Sequence, residues 1–151
     1  MTTRTLLCAA ALGFALSGCA WIHGTFGGES AGAAAARYDG PRCDQSPCRV
    51  RVHVADCRIR VMPERLGVRK GLRRATIEWR IEDPGYTFAR DGIVFGDKEA
   101  ARVFHGERMA ARDTFTVVDE NTGPGEYKYT VRVERDGKAC APLDPVVIND
   151  M

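Results

Sequence analysis

Chemistry needs particular side chains at particular spacings, and this chain offers few. After residue 19 it holds two serines, Ser30 in a Gly/Ala-rich stretch and Ser46 between two cysteines. A nucleophilic serine needs a base within hydrogen-bond reach and an oxyanion site, and nothing near either serine suggests one. The three histidines, His23, His53 and His105, are scattered without the paired spacing of a zinc site. A blue-copper site uses two histidines, a cysteine and a weak axial ligand such as methionine. Cys140 is followed by "APLDPVV", which supplies neither His nor Met. "DENTG" at 119 to 123 opens like a calcium loop, with Asp119 and Asn121 before Gly123, but Pro124 and Gly125 break the ligand pattern. A hairpin turn is expected there instead. The carboxylate pairs Glu82-Asp83 and Asp119-Glu120 are adjacent, so on a strand their side chains leave opposite faces. Solvation or pairing with arginine is expected of them, not acid–base work. "CDQSPC" at 43 to 48 lacks the C-x-x-C spacing and helix of a redox motif and is expected to be a structural staple. These residues lead us to expect no catalytic residue, no metal site and no cofactor.

The arginines are harder to dismiss. From Arg42 to Arg80 there are eleven Lys/Arg and four Asp/Glu, a local net of +7 within a chain whose total is +2. From Ile81 to Met151 there are nine basic and fourteen acidic residues, a local net of −5. In "RVRVHV" and "CRIRV" the apolar residues take every second place, which sends Arg49, Arg51, Arg58 and Arg60 to one face. Arg65, Arg69, Lys70, Arg73 and Arg74 crowd the connection that follows. Like charges opposed across a sheet are unfavourable, so such a cluster calls for an anionic neighbour. Carboxylates of the acidic half, Glu78 or Glu134 for instance, are one source. Phosphates of an anionic envelope glycolipid or phospholipid headgroup, or an acidic envelope protein, are the other. Nucleic acid is not expected as a partner.

Where these groups act is read from the amino terminus. Arg4 precedes an eleven-residue apolar stretch, "LLCAAALGFAL", too short to span a bilayer, which takes about 20 residues. It suits the h-region of a secretory signal. The stretch ends in Leu16-Ser17-Gly18-Cys19, which closely resembles the lipobox of bacterial lipoproteins. That resemblance implies cleavage after residue 18 and acylation of Cys19, with several chains giving the stable anchoring that one chain does not. Ala20 in place of aspartate resembles the rule for export to the outer membrane. The expected partner is therefore the membrane, through the lipid, with the body in the periplasm. Cys43, Cys48, Cys57 and Cys140 remain in the exported chain, and an even count in an oxidising compartment reads as two disulfides. Three pairings are open, of which Cys43–Cys48 and Cys57–Cys140 are favoured because they close one short and one long loop.

The elements that must carry this face are mostly strands. Residues 19 to 42 are rich in Gly and Ala and read as a flexible tether, reaching roughly 25 to 30 Å. Residues 43 to 151 form the expected domain. Period-two patterns run through "RVRVHV", "CRIRV", "ATIEWRIE" and "EYKYTVRVE", with shorter candidates at Tyr86–Phe88, Gly92–Phe95, Thr114–Val118 and Pro145–Ile148. Turns are expected at "DPG", "NTGPG" and both "RDG" runs. The one candidate helix is "DKEAARVFHGERMAA", weakened by Gly106. This pattern predicts an all-β, antiparallel, immunoglobulin-like β-sandwich, with Trp79 in the core near a Cys57–Cys140 bridge. "GYTF", "DGIVF", "GEYKYTV" and "LDPVVIND" resemble small immunoglobulin-like domains of exported bacterial proteins, a resemblance that implies a fold and no catalytic residue. The expected function is binding or structural support in the envelope. The rival expectation is an accessory hydrolase or redox protein with a site not visible in the sequence.

Overall fold

Alternation of apolar and polar residues builds most of this body. The computed structural model describes residues 38–150, so the expected signal, Cys19 and the expected tether through residue 37 lie outside the described residues. The strands are β1 (Arg42–Cys43), β2 (Cys48–Ala55), β3 (Arg58–Met62), β4 (Arg65–Val68), β5 (Ala75–Ile81), β6 (Thr87–Phe95), β7 (Phe104–Ala111), β8 (Thr114–Asp119), β9 (Gly125–Arg135), β10 (Lys138–Ala139) and β11 (Val146–Asn149). They form two mixed sheets, neither closed into a barrel. One runs β3-β2-β5-β8-β7; the other runs β1-β4-β11-β9, with β10 and β6 also paired to β9.

The expected antiparallel pairing holds for most neighbours but not all. β2 and β5 are parallel, as are β1 with β4 and β4 with β11. The cause is the chain's route. After the β2–β3 hairpin it crosses to the other sheet as β4, then returns as β5 beside β2. A parallel neighbour needs a long crossover of this kind.

The four alternating stretches bury the residues expected of them: Val50, Val52 and Val54 from β2, Ile77, Trp79 and Ile81 from β5, Tyr127, Tyr129, Val131 and Val133 from β9, and Ile59 and Val61 from β3. Cys57 departs from that pattern. It sits in the two-residue β2–β3 turn with Asp56, both at positive φ (50° and 57°), because Ala55 pairs with Arg58. The second "RDG" behaves as expected: Asp136 and Gly137, also at positive φ, close the β9–β10 hairpin, the geometry that matches strand twist. The first "RDG" does not turn the chain. It lies inside β6, where the register with β9 shifts between Phe88 and Ile93.

The helix expected over 97 to 111 is reduced to α1 (Ala100–Val103); the rest is β7. Gly106 takes φ +68°, which ends any right-handed helix. Phe104 is buried, stacked on Phe95 with ring centroids 3.9 Å apart and edge-on to Tyr127 at 5.1 Å. Burying that ring and pairing β8 outweigh the weak helix propensity of a glycine-broken segment. From His105 onward β7 is exposed, and its charged residues suit an edge strand.

Aromatic side chains from the two sheets meet between them. Trp79 of β5 lies edge-on to Tyr129 of β9 at 5.2 Å, and its indole N–H donates to the Tyr129 hydroxyl at 3.0 Å. Phe115 of β8 meets Phe88 of β6 at 5.8 Å. Trp79 is fully buried, but it is not placed beside the long disulfide as expected. It stands opposite Val50, five residues and thus roughly 16 Å from the Ala55 end of β2, beyond which Cys57 turns the chain.

The disulfides are Cys43–Cys48 and Cys57–Cys140. The second joins the β2–β3 turn to the segment after β10, where Arg58 also forms a bridge with Ala141. Tyr38 to Arg42, read above as the end of the tether, are packed onto β4. The Tyr38 hydroxyl donates to the Arg65 carbonyl at 2.5 Å, and Arg42 pairs with Asp150 at 3.0 Å.

Replacing Tyr129 by Phe removes the acceptor of the Trp79 N–H and leaves that donor buried and unpaired. We expect a loss of about 1–3 kcal/mol, read from urea unfolding, with little change in the folded far-UV spectrum. Stability equal to wild type would show that the bond contributes nothing.

Candidate anion-binding face

The outer face of the β3-β2-β5 region is where the four alternating arginines come together. Their alternation partners are buried core residues, so the side chains point outward; Arg49, Arg51, Arg58 and Arg60 are all exposed. Across β2–β3 they interleave and do not oppose one another. Arg51 stands opposite Met62, Arg60 opposite His53, and Arg58 opposite Ala55. The like-charge contact falls on the other side of β2, where Arg51 is in register with Arg80 of β5. The period-two pattern of "ATIEWRIE" already sent Arg80 outward. What the sequence does not carry is that β5 lies next to β2, so Arg80 was left out of the expected face.

The carboxylates nearby are mostly engaged elsewhere. Glu78 pairs with Arg49 at 3.8 Å, as the internal-neutralisation reading expected, while Glu134 lies on β9 of the other sheet. Asp83 accepts the Val54 backbone N–H at 2.8 Å and lies 3.5 Å from His53. Among the described residues no carboxylate lies within 4.0 Å of the guanidinium groups of Arg51, Arg58, Arg60 or Arg80.

The second arginine group does not join this face. Arg65 pairs with Glu126 at 2.7 Å, Arg69 with Asp44 at 3.8 Å and Arg74 with Glu120 at 3.2 Å. Three of the five basic residues around β4 are thus paired, while Lys70 and Arg73, like the arginines over β2 and β3 other than Arg49, have no carboxylate within 4.0 Å among the described residues.

One carboxylate is strongly perturbed, and it lies elsewhere. Asp119 ends β8 on the same inward parity as Phe115 and Val117 and is fully buried, contrary to the solvated or arginine-paired state expected of it. "DENTG" is not a hairpin turn, because β8 and β9 belong to different sheets; it is the crossing between them. Asp119 Oδ1 accepts the Asn121 backbone N–H at 2.8 Å and the Asn149 side-chain amide at 3.1 Å. The Asn121 side chain donates in turn to the carbonyls of Arg69 and Leu72 at 2.9 and 3.2 Å. Asp119 Oδ2 and Asn149 Oδ1 are buried with no partner. Burial pushes the Asp119 carboxyl up to about 6, against the pull of its two hydrogen bonds, with Glu120 adding to the rise. A proton on Oδ2 removes a buried charge and turns one of these two unfilled acceptors into a donor, so the neutral acid suits the site.

Two open clefts flank the sheets. One of about 640 Å³ is lined by Tyr38, Pro63, Arg65 and Asp144 among others; another of about 590 Å³ is lined by Arg80, Glu82, Asp83, Tyr86 and Asp113 among others. Asp119 lines neither. Among the described residues no group of three or more His, Cys, Asp or Glu is placed to hold a metal ion. The chain matches no known protein family, and no curated protein matches it in sequence.

Because the native carboxyl of Asp119 titrates near 6 and an unfolded one near 3.9, the neutral acid's stabilisation is complete below about pH 4. It is lost as pH rises through 6, by on the order of 3 kcal/mol. Asp119→Asn keeps both accepted bonds and adds a donor. We expect the variant to exceed wild type in urea midpoint at pH 7.5 and to converge with it near pH 4. A variant curve parallel to wild type across that range would refute the assignment.

Proposed function

We propose that this chain is a lipid-anchored protein of the bacterial envelope, carried on the outer membrane by acylated Cys19. Its body, in this reading, is an immunoglobulin-like β-sandwich that binds an anionic envelope surface and has no catalytic role. The observation that carries the binding reading is the outer face of β2 and β3, where Arg51, Arg58 and Arg60 have no carboxylate within ion-pair reach among the described residues. The sandwich reading is supported by the aromatic contacts between the two sheets, although the parallel pairs β2–β5 and β4–β11 depart from a purely antiparallel design. The envelope reading is supported by the apolar stretch ending in "LSGC" and by two disulfides, which persist in oxidising compartments.

The physical logic links anchor and face. Acyl chains on Cys19 confine the body to the neighbourhood of the membrane, and with Tyr38 to Arg42 packed onto the body a tether of 20 to 37 reaches roughly 21 to 25 Å. Within that distance an arginine face can settle on phosphate-bearing lipid, each charge adding about 1 kcal/mol near an anionic surface. A phosphorylated glycolipid or an acidic envelope protein would satisfy the same charges.

Cys19→Ala is expected to move the protein from the membrane to the soluble fraction of fractionated cells; retention in the membrane fraction would sink the anchor. Replacing Arg49, Arg51, Arg58 and Arg60 together by Gln is expected to abolish salt-sensitive sedimentation with anionic vesicles while leaving the melting curve within a few degrees of wild type. Undiminished binding by a folded quadruple variant would overturn the role of this face.

A further inference from the structure

Two arginines occupy adjacent outward positions where a sheet ordinarily avoids like charges. β2 runs parallel to β5 with Arg51 in register with Arg80. Neighbouring strands lie about 4.8 Å apart, so both side chains leave the outer face from adjacent positions. On the opposite edge of β2, Arg51 faces Met62, which is 50% exposed, the most exposed large hydrophobic side chain among the described residues. Arg60 lies one outward position from Met62 along β3. The row thus reads Met62, Arg51, Arg80, and it continues through Thr114 of β8 to Ala111 of the edge strand β7.

The acidic side chains around this row do not neutralise it. Glu78 is taken by Arg49 and Asp83 by His53 and the Val54 N–H. Arg80 also lines the cleft that holds Glu82, Asp83 and Asp113; those carboxylates disfavour an anion inside the cleft, which leaves the side of Arg80 next to Arg51 for it. Like charges in register destabilise a sheet. A phosphate reverses that sign, because two planar guanidinium forks can each donate to its oxygens in charge-assisted bonds.

Met62 narrows the ligand. A flexible thioether on a basic surface suits an adaptable apolar contact, which a free phosphate or an acidic protein loop does not require. A phosphate set beside acyl chains requires both. We propose that Arg51 and Arg80 together grip one phosphate of an anionic membrane lipid, with Met62 entering the boundary between headgroups and acyl chains beside it. This site rests on the reading of the arginine face as a membrane-facing surface and adds to it a position, a residue pair and a lipid headgroup.

The test uses the mature chain with Cys19→Ala, so that acylation does not mask the contact, and vesicles of phosphatidylglycerol in phosphatidylcholine. A single distributed charge is worth about fivefold in partition. Arg51→Gln and Arg80→Gln are each expected to lower partition by more than tenfold, and the double variant to lose little beyond either single one, since both serve one phosphate. Arg49→Gln, whose charge is already shared with Glu78, is expected to lose fivefold or less. Met62→Ser is expected to weaken vesicle binding several-fold while leaving the binding of glycerophosphoglycerol, followed by ³¹P line broadening, unchanged.

An Arg80→Gln variant that partitions like Arg49→Gln overturns the paired site. If the quadruple variant still loses binding in that case, the broader arginine-face reading stands without it. Equal vesicle binding by Met62→Ser and the parent removes the lipid contact, and binding of the free headgroup without vesicle binding overturns the membrane assignment.

Discussion

The hydrogen bond from the Trp79 indole to the Tyr129 hydroxyl is the contact on which the two sheets depend. Each residue sits in an inner strand of its sheet, and each is fully or almost fully buried. A tryptophan can be buried at little polar cost only when its N–H finds an acceptor, and the acceptor comes from the opposite layer. Burial in turn pushes the Tyr129 hydroxyl well above its ordinary range, so it stays neutral. The edge-on packing and the bond together set where β5 lies over β9. Phe115 on Phe88 extends that alignment toward the sheet edge.

From that alignment the exposed chemistry follows. Residues of β2 and β5 that alternate with the core must face outward, and the parallel register places Arg51 beside Arg80. The same parity rule sends Asp119 inward behind Phe115 and Val117. There it anchors the crossing between the sheets through Asn121 and Asn149. A charge on the outside and an acid on the inside are thus products of one rule, the two-residue period of a strand.

Much of the β character was legible for that reason. Val50 to Val54, Ile77 to Ile81 and Tyr127 to Val133 alternate cleanly, and their burial matches. Arg49, Arg51, Arg58 and Arg60 were legible by the same signal. What was not legible depends on which strands neighbour each other. The pairing of Arg51 with Arg80 needs the crossover through β4, a four-residue strand too short to show a period. β7 was hidden by the Ala- and Glu-containing run before Gly106, whose local preference lost to the burial of Phe104. The parity of Asp119 was readable, but its two amide partners come from Asn121 just beyond β8 and from Asn149 near the chain end. Only the folded arrangement brings Asn149 to it. Cys57 in the turn illustrates the same limit, since a disulfide from the far end of the domain holds a residue that the pattern placed in a strand.

The two disulfides also change what the domain would do under load. Force applied between residue 43 and residue 150 enters at Cys43, crosses to Cys48, follows the chain to Cys57 and crosses again to Cys140. Even fully unravelled, the oxidised chain between those points offers only the stretches 48–57 and 140–150, about 75 Å of contour with the bridges included. The same segment without bridges would extend to about 370 Å. The residues between Cys57 and Cys140, which include β3 to β10, are bypassed by the covalent path and carry no tension. Mechanically, the oxidised body is a strut of limited reach between those points, with β2 and β11 in the path of the load and β5, β8 and β9 shielded from it.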